Sequence, residues 1–162
     1  MNLINIKQLK PQLKASSLSS INLRYMQDIG KQGIILDLDN TITLWKEDVL
    51  ANEAREFIEQ AVKLQFRICL LSNATKNRTA KIAGIYNLPY VSLARKPAKD
   101  AYLKALRLLN LKADEVVAVG DQIFTDILGG NRAGCYTILV PPLGPREFVG
   151  TKLMRQLEKL VE

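Results

Sequence analysis

The feature that most constrains the fold is an alternation of two kinds of segment from Lys31 onward. Short apolar runs rich in valine and isoleucine are separated by longer segments in which apolar residues recur every three or four positions. This pattern is typical of βαβ units, in which helices cover a buried parallel sheet. We predict strands over residues 33–38, 67–72, 89–91, 116–120 and 136–140, and helices over residues 48–63, 76–84, 98–110, 123–133 and 147–160. The fold class is therefore α/β, with a five-stranded parallel sheet.

The 162 residues fit a single domain, because soluble domains usually contain about 100 to 200 residues. Within it, residues 1–32 mix apolar and basic side chains and precede the α/β core over residues 33–162. We expect this N-terminal segment to pack on the core or on a membrane surface. No apolar stretch approaches the roughly 18 residues of a spanning helix, and no signal peptide is recognisable. We therefore predict a cytoplasmic protein without a transmembrane segment.

The composition excludes several kinds of catalytic chemistry. The chain has no histidine, which removes Ser-His-Asp triads, Cys-His pairs and histidine-ligated metals. It has 23 basic residues against 16 acidic ones, and residues 76–112 alone hold nine basic side chains and one acidic side chain. This balance favours an anionic partner, which could be nucleic acid, a membrane or a phosphorylated metabolite.

Two pairs of acidic residues follow strands of the predicted sheet. Asp37 and Asp39 stand at the end of the first strand, where residues two apart share a face. Asp121 and Asp126 follow the fourth strand. Ligands of open α/β sheets bind at this carboxyl edge, and crowded carboxylates there require a cation. Hard oxygen ligands without histidine select Mg2+ over zinc.

Other residues at the same edge suit a phosphate group. Ser72 and Asn73 follow the second strand, and Lys96 precedes Pro97 at the start of a helix. A lysine neutralises a phosphoryl group, while a hydroxyl and backbone amides can hold its oxygens. The sequence therefore predicts a phosphate site with a metal.

These residues resemble the motifs of the haloacid dehalogenase superfamily of phosphohydrolases. The four motifs appear in order as Asp37-Leu38-Asp39-Asn40-Thr41, Ser72-Asn73, Lys96-Pro97, and Gly120-Asp121 with Asp126. The resemblance spans residues 33–140 and implies a three-layer Rossmann-like core. The first two motifs and the small size further resemble the subclass IIIA phosphatases, which include the YqeG and phosphatidylglycerophosphate phosphatase family.

The resemblance implies a role for each carboxylate. Asp37 would be the nucleophile that forms an aspartyl phosphate, and Asp39 would act as the general acid and base. Mg2+ would be held by Asp37, the backbone carbonyl of Asp39 and Asp121. Asp126 would act on the metal through water or orient the active-site lysine.

The resemblance also implies the phosphate-binding residues. Ser72, Asn73 and Lys96 would bind the oxygens of the transferring phosphoryl group. Asn40 and Thr41 would shape the turn after the first strand rather than react.

The absence of a large cap domain indicates the kind of substrate to expect. Superfamily members that act on small metabolites often carry a cap domain after the first motif or after the third strand, and neither interval here has room for a large one. An uncovered site suits a phosphate presented on something large.

We therefore predict an Mg2+-dependent phosphatase that converts phosphatidylglycerophosphate to phosphatidylglycerol, in peripheral contact with the inner membrane. A lipid headgroup is favoured over nucleic acid, because aromatic residues do not interleave with the basic run. One alternative is a phosphatase of the same superfamily that acts on a nucleic-acid end, a nucleotide or a sugar phosphate. Another is a non-catalytic phosphate-accepting or anion-binding module.

Overall fold

The computed structural model describes residues 4–144 together with Arg155, Gln156, Glu158 and Lys159. Its sheet has six parallel strands in the order β1-β6-β5-β2-β3-β4. The strands are β1 (Leu13–Lys14), β2 (Gly33–Leu36), β3 (Arg67–Leu71), β4 (Tyr90–Val91), β5 (Val116–Gly120) and β6 (Tyr136–Leu139). The α/β class with a parallel sheet is confirmed, whereas the predicted number of five strands is wrong.

The additional strand lies in the N-terminal segment. β1 has only two residues and pairs with β6 at the edge of the sheet, Leu13 standing opposite Ile138. The side chain of Gln12 extends this pairing by accepting hydrogen bonds from the backbone and hydroxyl of Thr137. A two-residue edge strand has no readable alternation of apolar and polar residues, which is why the pattern did not indicate it.

Five α-helices connect the strands. They are α1 (Leu23–Asp28), α2 (Asn52–Lys63), α3 (Lys76–Gly84), α4 (Lys99–Leu109) and α5 (Leu128–Ala133). The helix predicted over residues 123–133 is two elements, because Ile123–Ile127 forms a wider π-helical turn before α5 begins. The helix predicted from residue 48 begins instead at Asn52, after a loop closed by a bridge between Thr43 and Leu50. The predicted helix over residues 147–160 lies outside the described residues, apart from the four named above.

Alternating residues of the central strands face two separate apolar layers. Ile34 and Leu36 of β2 pack in one cluster with Phe57 and Ile58 of α2. Ile35, between them, packs in a second cluster with residues of α4. Every residue of β2 and β5 is buried, as expected for parallel strands covered on both faces. The molecule therefore has three layers, with helices on both sides of the sheet.

The N-terminal segment contributes to the layer that contains α2. Its side chains Leu18, Ile21, Leu23 and Met26 are buried in the same cluster as Phe57. The division of the chain between residues 32 and 33 remains a prediction. Among the described residues, no helix is both long enough and apolar enough to cross a bilayer.

Four of the connections at the carboxyl edge of the parallel sheet follow β2, β3, β4 and β5. They are residues 37–51 after β2, 72–75 after β3, 92–98 after β4 and 121–122 after β5. Within residues 4–144, none of these connections carries an inserted cap domain. This edge is open and holds the charged residues singled out from the sequence.

Candidate active site

Lys96 is the centre of a buried network of charges. Its Nζ donates to Oδ1 of Asp37 at 2.5 Å and to Oδ1 of Asp126 at 2.6 Å. Asp37 is the first residue after β2, whereas Asp126 lies in the π-helical turn after β5. The space beside these groups is lined by the apolar side chains of Ile35 and Leu71 among others. The three charges therefore interact in surroundings with little water to screen them.

The electrostatics of the network keep Lys96 protonated. Burial alone would lower the pKa of the Lys96 ammonium, but the negative charges of Asp126 and Asp37 outweigh it and hold that pKa well above its usual value. The backbone of the lysine is fixed as well, because its amide donates to Oδ1 of Asn73 at 2.9 Å. A fixed positive charge therefore stands beside the carboxylate of Asp37.

Three carboxylates converge at this edge. One oxygen from each of Asp37, Asp121 and Asp126 lies within 4.8 Å of the others, and all three residues are buried. Burial and the charges of Asp37 and Asp126 raise the pKa of Asp121 well above its usual value. Burial and the charge of Asp37 raise the pKa of Asp126 to about 6, against the opposing effect of Lys96. The cluster therefore holds more negative charge than its surroundings favour.

A divalent cation fits this cluster. Carboxylate oxygens are the ligands that Mg2+ prefers, and a cation between them would relieve the repulsion that raises the pKa values of Asp121 and Asp126. The carboxylate of Asp39, in contrast, does not belong to the cluster. A role of Asp39 toward the metal would therefore fall to its backbone carbonyl, as the resemblance implies.

Thr41 has a larger part in the site than the sequence suggested. Its hydroxyl lies 2.7 Å from Oδ2 of Asp37 and 3.2 Å from Oδ1 of Asp121, and the residue is buried. The turn that starts at Leu38 places it there, because the amide of Thr41 bonds back to the carbonyl of Leu38. The sequence offered one indication of this role, which is that Thr41 follows Asp37 by only four residues within the first motif.

Asp39 is anchored by a residue that the sequence did not single out. Arg78, in the first turns of α3, donates to Oδ1 of Asp39 at 2.7 Å and to the backbone carbonyl of Glu47 at 2.6 Å. β2 ends at Leu36, and Asp39 lies beyond it in an isolated bridge to Thr43, so the shared face of Asp37 and Asp39 remains a prediction. The contacts of Asp37 and Asp39 involve different partners.

Ser72 and Asn73 tie the loops of the site together. The amide of Ser72 donates to the carbonyl of Val91, and its hydroxyl accepts a hydrogen bond from the amide of Ala74 at 3.0 Å. Asn73 is exposed and accepts from the backbone of Lys96. The sequence-predicted residues of the second and third motifs are therefore in direct contact.

Two further residues support the acidic cluster. The guanidinium of Arg155 pairs with the carboxylate of Asp121 and donates to its backbone carbonyl at 2.9 Å. The hydroxyl of Tyr102, in α4, lies 3.2 Å from the backbone carbonyl of Asp126, to which it donates. Both contacts join residues that are distant in the sequence, so no local motif could have revealed them.

The comparisons with known proteins agree with this arrangement. The pattern of the haloacid dehalogenase-like hydrolases matches residues 26–134, which include all of the carboxylates described above. The chain belongs to this family. The resemblance drawn from the four motifs is thereby confirmed.

Two curated relatives share sequence with this chain, and one solved structure shares its fold. The chain is 35% identical over 130 residues to the "Probable phosphatase YqeG" of Bacillus subtilis, covering 80% of this chain and 76% of that protein. It is 25% identical to the chloroplastic phosphatidylglycerophosphate phosphatase 1 of Chlamydomonas reinhardtii, covering 92% of this chain but only 59% of that protein. The fold is similar to that of the deoxy-D-mannose-octulosonate 8-phosphate phosphatase of Haemophilus influenzae, with a TM-score of 0.57 and 12% identity over 82% of this chain and 87% of that one.

Proposed function

We propose that this hydrolase is an Mg2+-dependent phosphatase that cleaves a phosphomonoester through an aspartyl phosphate on Asp37. The observation that carries the proposal is the position of the Asp37 carboxylate, which is held at the open edge of the sheet by Lys96 on one oxygen and Thr41 on the other. The phosphatase name of the Bacillus relative supports the same reaction class.

In the first step, an oxygen of Asp37 attacks the phosphorus and the bond from phosphorus to the leaving oxygen breaks. Asp39 gives a proton to that oxygen, which departs as an alcohol. Arg78 fixes the side chain of Asp39 for this transfer through the 2.7 Å contact.

In the second step, Asp39 takes a proton from water, and the resulting hydroxide attacks the phosphorus of the aspartyl phosphate. The bond between phosphorus and Asp37 breaks, so inorganic phosphate leaves and the carboxylate is restored. The same residue serves as acid and then as base, which returns the site to its starting protonation.

The remaining residues stabilise the charge on the transferring group. The ammonium of Lys96 would bind a phosphoryl oxygen, with Ser72 and Asn73 at the second motif completing the phosphate site. Mg2+, held by Asp37, Asp121 and the carbonyl of Asp39, would neutralise the phosphoryl oxygens. Asp126 would orient Lys96 through their 2.6 Å contact.

For the substrate we infer phosphatidylglycerophosphate, with phosphatidylglycerol as the product at the cytoplasmic membrane face. The name of the Chlamydomonas relative supports a lipid phosphate. The open edge of the sheet supports it too, since residues 4–144 contain no cap that would enclose a small metabolite.

The test is phosphate release in Mg2+ from phosphatidylglycerophosphate in mixed micelles, a 3'-phosphorylated oligonucleotide and several sugar phosphates. We expect the lipid to be preferred and Asp37→Asn to reduce release to background. Asp39→Asn should lower turnover by about 100-fold to 10,000-fold, the usual contribution of general acid–base catalysis. Asp28→Asn, at an exposed aspartate in α1, is the matched control and should leave turnover unchanged.

Other outcomes would change the proposal in distinct ways. Release from the oligonucleotide or a sugar phosphate alone would keep the reaction and replace the substrate. Phosphate binding without release from any compound, unaffected by Asp39→Asn, would indicate a non-catalytic phosphate-accepting module.

A further inference from the structure

Two strongly exposed apolar side chains stand at the mouth of the site. Val49, in the loop after β2, is 63% exposed, and Leu93, in the loop after β4, is 62% exposed. Both loops leave the carboxyl edge that carries Asp37. Leaving such side chains in water forgoes the free energy of burying them, and their position beside the site makes them available to an apolar partner.

The backbone around these side chains adopts conformations that non-glycine residues seldom take. Lys46, Leu93 and Arg95 have positive φ angles of 60°, 47° and 55°. Asn110 also has a positive φ, but it follows the end of α4, where this conformation is ordinary. Leucine in this conformation is strained, and such strain persists where the surrounding structure imposes it.

Hydrogen bonds fix the loop that carries Leu93. Its amide donates to the carbonyl of Ala74 at 3.0 Å, and the next amide, that of Ala94, donates to the carbonyl of Ser72 at 3.0 Å. Ala94 is buried while Leu93 faces solvent. The loop is therefore held in a shape that presents its larger apolar side chain outward and its smaller one inward.

Basic side chains surround the same mouth. Lys46, Lys76, Arg95 and Lys99 are exposed, and each lies in or directly after a loop at the carboxyl edge. None of the four forms an ion pair within the part of the chain that the structure describes.

Several acids of these loops are already neutralised. Asp39 pairs with Arg78 at 2.7 Å, and Asp48 pairs with Lys81 at 3.0 Å. Glu47 and Asp100 are the acids nearest in sequence that remain. The four cations therefore leave a positive surplus around the mouth of the site.

We propose that these residues dock the enzyme on an anionic lipid bilayer. We call the surface the rim, consisting of Lys46, Val49, Lys76, Leu93, Arg95 and Lys99. Val49 and Leu93 would enter the boundary between headgroups and acyl chains, while the four cations would contact lipid phosphates. The inference rests on the proposed function, because docking at the rim would bring a headgroup phosphate to Asp37.

The chemistry of the rim favours a bilayer over a nucleic acid. A single-stranded nucleic acid would need aromatic faces for its bases, and the aromatic side chain in these loops, Trp45, has the Nζ of Lys46 4.5 Å from its ring centroid. Val49 and Leu93 offer no stacking surface. The N-terminal segment is only partly available to lipid, because Leu18 and Met26 are buried in the core whereas Ile4 and Ile6 are exposed.

The test measures co-sedimentation of the full chain with phosphatidylcholine vesicles that contain or lack phosphatidylglycerol. We expect binding to the anionic vesicles only, weakened by salt. The variants V49S/L93S and K76Q/R95Q should each lower vesicle affinity about tenfold or more. Turnover of a water-soluble phosphomonoester should stay within about twofold of wild type, because neither pair contacts the reacting groups.

The matched control is V62S/L108S. Val62 and Leu108 are 49% and 47% exposed, in the last turns of α2 and α4 at the opposite edge of the sheet. Equal loss of binding in this control, or absence of binding by the wild type to anionic vesicles, would overturn the docking surface. So would rim-dependent binding of an oligonucleotide in place of vesicles.

Failure of the docking surface and failure of the proposed function are distinguishable. Hydrolysis of a soluble short-chain phosphatidylglycerophosphate without vesicle binding would overturn the rim and keep the function. Vesicle binding that depends on the rim, without hydrolysis of the short-chain or long-chain lipid, would support the rim and overturn the function.

Discussion

Two cations at opposite edges of the sheet have different partners: Lys96 at the carboxyl edge binds carboxylates, whereas Arg67 at the amino edge binds backbone carbonyls. Lys96 lies between Asp37 and Asp126 and is buried. Arg67, at the start of β3, donates instead to the carbonyl of Leu109 at the end of α4. A cation at a helix C-terminus stabilises the helix. A basic residue therefore stabilises the fold at the amino edge, whereas at the carboxyl edge a basic residue holds neighbouring carboxylates in place.

The comparison shows that the arrangement of charges suited to the proposed reaction opposes the stability of the folded protein. At the carboxyl edge, burial and then the neighbouring carboxylates raise the pKa values of Asp121 and Asp126, which means that their ionised forms are disfavoured in the folded protein. The amino edge carries no equivalent cluster among the described residues. Substitutions matched between the two edges should therefore separate effects on activity from effects on folding.

The largest difference is expected between Lys96→Met and Lys31→Met. Removing Lys96 leaves buried carboxylates without their counter-charge, which should cost about 3 to 5 kcal/mol of unfolding free energy and abolish phosphate release. Lys31, near the amino edge, donates to the carbonyl of Asp114 at 2.6 Å, and its loss should cost less than about 1 kcal/mol. Urea unfolding and phosphate release measure both. Equal costs would show that the two edges do not differ in this way.

A smaller effect is expected from Mg2+ on thermal unfolding. A cation bound only by the folded protein should stabilise it by about 2.7 kcal/mol at a concentration 100 times its Kd. Asp121→Asn should reduce this stabilisation, whereas Asp114→Asn, at an exposed aspartate before β5, should preserve it. Melting with and without EDTA makes the measurement. Stabilisation that survives Asp121→Asn in full would place the metal elsewhere.

The smallest of these effects compares two glycines at opposite strand ends. A Cβ at Gly120 would overlap the side chain of Asp126, while a Cβ at Gly33 would meet Cδ1 of Leu111 at 2.5 Å. Both alanine variants should lose about 1 to 3 kcal/mol by overpacking. Only Gly120→Ala should also lower phosphate release per folded molecule, since it displaces Asp126. Equal activity in the two variants would contradict the assignment of Asp126 to the site.

Much of the fold could be predicted from the sequence, because the patterns that indicate strands and helices are local. β2 and β5 are apolar runs, and apolar residues recur every three or four positions in α2. These patterns indicated a parallel sheet covered by helices. In such a sheet, Asp37, Lys96 and Asp121 lie at the same edge. β1 was missed because two residues carry no periodicity. The π-helical turn was missed because its apolar spacing resembles that of an α-helix.

The site was predictable where residues follow strands and less so where contacts are distant. Arg78 and Arg155 reach their aspartates across 39 and 34 positions of the sequence, so only the folded chain shows the pairing. Thr41 belongs to the first of the four motifs, but its contact with Asp121 forms only because β5 lies beside β2. The shared face predicted for Asp37 and Asp39 stays a prediction, because β2 ends at Leu36 and both residues lie beyond it.

The pairing of β1 with β6 places the first strand of the described residues beside the last. Leu13 finds its partner Ile138 only when nearly the whole described sequence is present. During synthesis, the central strands can associate while this edge of the sheet is still incomplete. Contacts of such long sequence separation form slowly, because a large loop must close first. Because β1 is synthesised before β6, a ribosome-bound chain should leave β1 and the outer edge of β5 unpaired until β6 emerges.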